Sequence, residues 1–189
     1  LDLDVEKEWD LVTLAQYHAN VNSTNRAKLN QLLVTEFSAK VAPTENHVIL
    51  ARLPIQTYWT TNYDRLIETA LENNEKIADT KYTTKQLATT KPKRDAIVYK
   101  MHGDVEHASD AVLIRDDYER YHVKMQPFIT ALSGDLIAKT FLFLGFSFTD
   151  PNLEYILSRV RIQFAKDQRL HYCLLRKAAQ AVEEELADF

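Results

Sequence analysis

Cysteine is nearly absent from this chain. Cys173 is the only one in 189 residues, which excludes an internal disulfide and a cysteine-built zinc site and fits a reducing compartment, with the cytoplasm as the default. Glycine is scarce too: Gly103, Gly134 and Gly145 stand beside five prolines. With neither low-complexity sequence nor a repeat of about 20 to 50 residues, a disordered tail, a collagen-like segment and a solenoid are all disfavoured. No apolar run approaches a membrane span; the longest that matters is Phe141-Leu-Phe-Leu-Gly-Phe146. Positive charge is not in excess, since 23 Lys and Arg face 27 Asp and Glu for a net charge of −4. The one dense basic patch, Lys91-Pro-Lys-Arg94, is short, so direct nucleic-acid binding is not indicated. Neither an initiator methionine nor a signal peptide opens the chain, which starts at Leu1 and enters a helical pattern at once. It reads as a piece of something longer.

What is present, 46% apolar and 26% charged residues, is the profile of one soluble globular domain. At this size a fold buries roughly 70% of the unfolded surface, enough for a substantial core. Residues 1–53 read as a helical segment. Val5, Trp9, Val12 and Leu14 suggest one amphipathic stretch, Leu29, Leu32, Leu33 and Phe37 a second, and Thr44 after Pro43 caps a third that carries Val48 and Ile49. From residue 54 to 189 the pattern changes to strands alternating with helices. Ile55 to Thr61 predicts a strand, and Asp64 then caps a helix with Leu66, Ile67, Ala70 and Leu71 on one face. Ala96 to Met101 predicts a second strand, followed by a short one at Val112 to Ile114 and helices around Asp116 to Tyr121 and Met125 to Ala138. Thr140 to Phe146 is a continuous apolar run, as expected of a parallel strand covered on both faces. Asp150-Pro151 starts a helix with Leu153, Ile156, Leu157, Val160 and Phe164 on one stripe. A strand at Leu170 to Leu175 and a helix from Ala178 follow. The fold class is α/β: a Rossmann-like open parallel sheet with helices on both faces, preceded by a helical segment.

Ligands of such sheets bind beyond the carboxyl ends of the strands, where helix N-termini also point. Three predicted strands end there in polar groups: Thr60-Thr-Asn62-Tyr-Asp64, His102-Gly-Asp104 and Gly145-Phe-Ser147-Phe-Thr-Asp150. Each group also has a purely structural reading. Asp64 suits an N-cap, Asn62 a turn, His102 a hydrogen-bonded strand end, and Gly145 and Ser147 the close of a strand. Tyr63, Phe146 and Phe148 read as core. His18, His47, His107, His122 and His171 share no clustered spacing and are given no function.

Taken together, Trp59-Thr-Thr-Asn-Tyr-Asp64, Lys100-Met-His-Gly-Asp104 and Phe141-Leu-Phe-Leu-Gly-Phe-Ser-Phe-Thr-Asp-Pro-Asn-Leu153 resemble the successive signatures of the bacterial SIR2-like domain, a branch of the sirtuin superfamily. The resemblance covers about Pro43 to Leu175. It implies a sirtuin-type (DHS-like) NAD-binding fold in which Asn62 and His102 form the catalytic pair. Asn62 would hold the nicotinamide-side ribose or a water near its anomeric carbon, and His102 would be the general base. Thr61 and Asp64 would bind the cofactor, Asp64 at the nicotinamide carboxamide, while Gly145 and Ser147 would lie against ribose and phosphates. Cleaving an N-glycosidic bond to cationic nicotinamide passes through an oxocarbenium-like state and releases an uncharged leaving group. A positioned nucleophile and a near-neutral base suffice for that.

Two departures shape the expectation. Protein-deacylating sirtuins carry a four-cysteine zinc module that one cysteine cannot supply, so the chain resembles the zinc-free, metal-free branch of antiphage systems, whose members hydrolyse NAD. The family also opens with a strand and a glycine-rich loop, and no glycine precedes position 103, so the chain looks N-terminally truncated and, taken alone, inactive. The leading expectation is therefore an NAD glycohydrolase domain from a cytoplasmic abortive-infection effector. NAD is the substrate, and self-association or fused or partner sensor domains complete the system. The alternatives are an NAD-dependent protein deacylase and a non-catalytic nucleotide-binding or oligomerisation module.

Overall fold

The computed structural model describes residues 10–23, 25–38, 41–146, 150–164 and 169–174. The chain divides into two compact units, Leu1–Phe128 and Ile129–Phe189.

The first unit opens with helices α1 (Leu11–Val21), α2 (Ala27–Phe37) and α3 (Glu45–Arg52). Asp10 caps α1 by accepting the Thr13 backbone N–H at 3.0 Å. At the start of α3, the Thr44 hydroxyl lies 2.7 Å from Nδ1 of His47, which gives one of the unassigned histidines a structural use as the fourth member of a capping turn. The buried side of α3 is Ala51, with Leu50 packed beside it. Ile49 faces solvent instead.

Strand β1 (Thr57–Thr60) follows, then α4 (Leu66–Asn73), β2 (Ala78–Lys81) and β3 (Ala96–Lys100). The three strands form a parallel sheet in the order β1-β3-β2, with Thr60 opposite Lys100 and Ala78 opposite Ala96. Side chains alternate across the sheet, so Tyr58, Ala96 and Val98 meet Ala51 of α3 and Ala70 and Leu71 of α4 in one core. Burying each of the larger of these stabilises by about 1.5–3 kcal/mol. The opposite face stacks Trp59 on Tyr99 with ring centroids 4.1 Å apart. Both rings meet the edge of Phe128, at the start of α6 (Gln126–Ala138). Helices α3 and α4 thus cover one face of the sheet, and the Phe128 ring lies on the other.

Strand β2 was not expected from the sequence. Its pattern Ala-Asp-Thr-Lys carries no apolar alternation, yet Asp79 and Lys81 are buried because Lys81 Nζ pairs with Asp79 Oδ1 at 2.7 Å. Arg94 reaches the other carboxylate oxygen at 2.9 Å. Conversely, the strand expected at Val112 to Ile114 does not form. The backbone groups that a ladder would need are taken by side chains. The Tyr63 hydroxyl donates to the Val112 carbonyl at 2.5 Å, and the Leu113 and Ile114 N–H groups donate to Asp117 Oδ2 at 3.0 and 3.1 Å. Asp117 thereby caps α5 (Arg115–Lys124).

In the second unit, β4 (Leu142–Leu144) pairs in parallel with β5 (Tyr172–Leu174). The apolar run of β4 was expected to be covered on both faces, but Leu142 and Leu144 are exposed, as are Tyr172 and Leu174 of β5. Helix α7 (Pro151–Phe164) is capped as expected, Asp150 Oδ1 accepting from the Asn152 and Leu153 N–H groups at 2.9 and 3.1 Å. It buries Leu153, Ile156 and Val160 on the expected stripe. The helix expected from Ala178 lies outside the described residues. Among the described residues no helix is long and apolar enough to cross a membrane.

Candidate active site

Parallel pairing sets the geometry. Because β1 and β3 run side by side in the same direction, the segments leaving their carboxyl ends, Thr61–Asp64 and Met101–Asp104, emerge together. The Met101 N–H donating to the Thr60 carbonyl at 2.9 Å is the last rung between them. Asn62 and His102 each lie two residues past that rung's strand ends, Thr60 and Lys100.

Their environments differ. Asn62 is exposed, and its backbone N–H is held by the Thr60 hydroxyl at 3.0 Å. His102 is only 4% exposed, with its ring against the edges of Tyr118 at 5.4 Å and Tyr121 at 6.0 Å. Helix α5 brings these two tyrosines, and the Tyr121 hydroxyl donates to the Met101 carbonyl at 3.1 Å. The turn after His102 depends on Gly103, whose φ of +100° suits glycine and whose missing Cβ would stand 3.0 Å from the Ala111 Cα. Just beyond that contact, the Val112 N–H donates to the His102 carbonyl at 2.9 Å. Arg26 of the helical segment reaches the same place, giving the Ala111 carbonyl a hydrogen bond of 2.7 Å while forking onto Asp117 at 2.9 and 3.0 Å.

Of the other expected site residues, Thr61 is half-buried in the first of these segments. Asp64 accepts the Leu66 N–H at 2.9 Å, so one carboxylate oxygen serves the first residue of α4, but the N-cap expected of Asp64 is Arg65, one residue later. Gly145 follows β4 in the second unit, with φ +61° and open space where a Cβ would project. Ser147 lies outside the described residues, as does Phe148. A small apolar cavity lined by His47, Leu50, Ala51, Tyr58, Ile67 and Leu71 borders none of these residues and belongs to the packing of α3 and α4. Among the described residues no cluster of His, Cys, Asp or Glu is placed to hold a metal.

Sequence reasoning missed what lies under the two segments. Lys100 is fully buried, as are Glu68 of α4 and Asp104. Lys100 Nζ stands 2.6 Å from Asp104 Oδ2 and 3.3 Å from Glu68 Oε1. Burial pushes the Glu68 carboxyl above the usual carboxylate range, and the opposing pull of Lys100 does not cancel it. The available signal was Lys100 at the end of an otherwise apolar strand, four residues before an acid.

A parallel sheet carries the Asn-bearing and the His-bearing segment at adjacent strand ends, and the chain belongs to the SIR2-like domain family, whose signature matches residues 56–188. Among curated proteins it is similar to the NAD(+) hydrolase ThsA of Bacillus cereus, 69% identical over 189 residues, which cover 100% of this chain and 40% of the relative. NAD(+) hydrolase ThsA of Acinetobacter baumannii is 58% identical over 181 residues, 96% of this chain and 37% of the relative. Defense-associated sirtuin 2 of Bacillus subtilis is 33% identical over 117 residues, 60% of this chain and 11% of the relative. The chain spans about two fifths of the length of the two hydrolases.

Proposed function

We propose that this chain is part of an NAD glycohydrolase, cleaving NAD to nicotinamide and ADP-ribose in a cytoplasmic antiphage effector whose self-association or sensor domains govern the reaction. One observation supports the reading: parallel pairing of β1 and β3 brings the segments that carry Asn62 and His102 out at adjacent strand ends, in a family whose relatives here bear NAD hydrolase and defence names. In the reaction, the carboxamide of Asn62 orients a water at the anomeric carbon of the nicotinamide ribose. As the C–N bond breaks and its electron pair returns to the pyridinium ring, the water oxygen bonds to that carbon and its proton passes to His102. Nicotinamide leaves neutral, so no acid is needed at the leaving group.

Thr61 and the free side of Asp64 serve the nicotinamide end, and Gly145 and Ser147 keep the ribose and phosphate roles that the resemblance gives them. No metal takes part in this scheme. Taken alone, these 189 residues turn over little NAD, because they contain no glycine-rich turn to cradle the pyrophosphate. The test is chromatography of NAD and nicotinamide with the intact protein, without any acetylated peptide. Removing a general base costs about 10² to 10⁴ in rate, so His102→Ala and Asn62→Ala should each abolish most turnover while remaining folded. Parent-like rates in both variants, or turnover that requires an acetylated peptide, would sink the reading.

A further inference from the structure

We propose that Lys100 is the positioning residue of this site, a buried cation that clamps the Asn62 and His102 segments to each other. The proposal rests on the reading of Asn62 and His102 as the catalytic pair. As the last residue of β3, Lys100 shares the sheet face of Ala96 and Val98, which is the face α4 covers. Its ammonium group has three N–H donors, and each finds an oxygen: the Tyr63 carbonyl at 3.0 Å, the Asp64 carbonyl, and Asp104 Oδ2 at 2.6 Å.

The acceptors come from two places only. Tyr63 and Asp64 are the residues directly after Asn62, and Asp104 comes two residues after His102. The same two stretches are stitched a second time, since the Tyr63 carbonyl also accepts the Val105 N–H at 3.0 Å. Asp104 is itself fixed at its other oxygen, which accepts the Glu106 N–H at 2.9 Å. An ammonium ion with no exposed surface is strongly unfavourable unless its charge and all its donors are matched. A strand end that served packing alone would be met more simply by an apolar residue. Here the charge is matched by Asp104 and Glu68, and the donors by the backbone that sets where Asn62 projects.

Two variants of the intact protein test this. Lys100→Met with Asp104→Asn removes the clamp without stranding the nearer carboxylate, and Asp104→Asn alone is the milder version: Lys100 keeps the Tyr63 and Asp64 carbonyls, while the single amide oxygen serves either Lys100 or the Glu106 N–H and not both. Kinetics with NAD should show kcat falling about 10²-fold in the double variant, since displacing a reacting group by about 1 Å can cost that much, and about 10-fold in the single one. KM should move less than kcat in both. Amide hydrogen exchange should accelerate at residues 61–64 and 102–105 and stay unchanged in β2 and the paired part of β3. Parent-like kcat in a folded double variant overturns the proposal, and so does exchange that rises evenly through the sheet, which marks a general stability role. If the parent itself hydrolyses no NAD, the functional reading fails on its own, and the exchange pattern still decides whether Lys100 fixes the two segments. Should the double variant not fold, the kcat and exchange of Asp104→Asn decide by the same criteria.

Discussion

Gly103→Ala is the substitution on which the geometry bears hardest. The residue sits at φ +100°, and the new Cβ would stand 3.0 Å from the Ala111 Cα. Holding an L-residue in so sparsely populated a conformation costs about 1–3 kcal/mol. The contact adds to this, because Ala111 has little room to retreat. It is almost fully buried, its carbonyl is held by Arg26, and the next residue is hydrogen-bonded to His102. Crowding into such a well-packed place costs roughly a further 1 kcal/mol at least. A total of about 2–4 kcal/mol, at about 2–4 °C per kcal/mol for a chain of this size, gives a fall in Tm of roughly 5–15 °C. The natural control is Gly134→Ala in α6, where an added Cβ meets nothing within 4 Å. There alanine improves helix propensity by about 1 kcal/mol, and Tm should rise. Thermal unfolding followed by circular dichroism compares the two directly. If Gly103→Ala melts within about 1 °C of the parent, at the precision such a scan needs to separate these effects, the argument from φ and the Ala111 contact is wrong.

Two further outcomes follow from the same network. Asp64→Asn keeps an oxygen for the Leu66 N–H, so thermal stability should be retained while NAD turnover falls; unchanged turnover would leave Asp64 with its structural role alone. At Asp79, burial pushes the carboxyl up, but hydrogen bonds from Lys81, the Lys91 N–H and Arg94 outweigh it and hold the pKa below the usual carboxylate value. A depressed folded-state pKa contributes stability above the unfolded value of about 3.9 that is lost as pH falls through the folded value. Urea midpoints of Asp79→Asn should therefore show a shallower acid limb than the parent below about pH 4, and an identical slope would contradict the pairing.

How far the sequence disclosed all this depends on where each element draws its stability. Strands β1 and β3 are made of β-branched and aromatic residues that pack on apolar neighbours, and helix α7 announces itself with Asp150-Pro151, so these were legible from residue type and spacing. Strand β2 was hidden because Asp79 and Lys81 are buried by pairing with each other, an arrangement that patterning scores as solvent-exposed. The false strand at Val112 to Ile114 has suitable residues, but Tyr63 and Asp117, distant in sequence or on the next helix, take its backbone groups. At the site the same division holds. Asn62, His102 and Gly103 were visible in short motifs, whereas the Lys100, Glu68 and Asp104 cluster exists only because α4 folds back over the end of β3.

The strand order β1-β3-β2 also sets a timetable. Thr57 pairs with Ile97, 40 positions later, and Ala78 with Ala96, 18 positions later, so both outer strands wait for the same central one. At about 5–20 residues per second of synthesis, β1 spends several seconds outside the ribosome with both hydrogen-bonding edges open. Helices α3 and α4 can meet in that interval, but the sheet cannot begin. When β3 arrives, the shorter loop to β2 closes at lower entropic cost than the longer one to β1, so the β1 edge zips up last. The segments that carry Asn62 and His102 become neighbours only in that final closure, and until it happens nothing in the nascent sheet fixes one against the other.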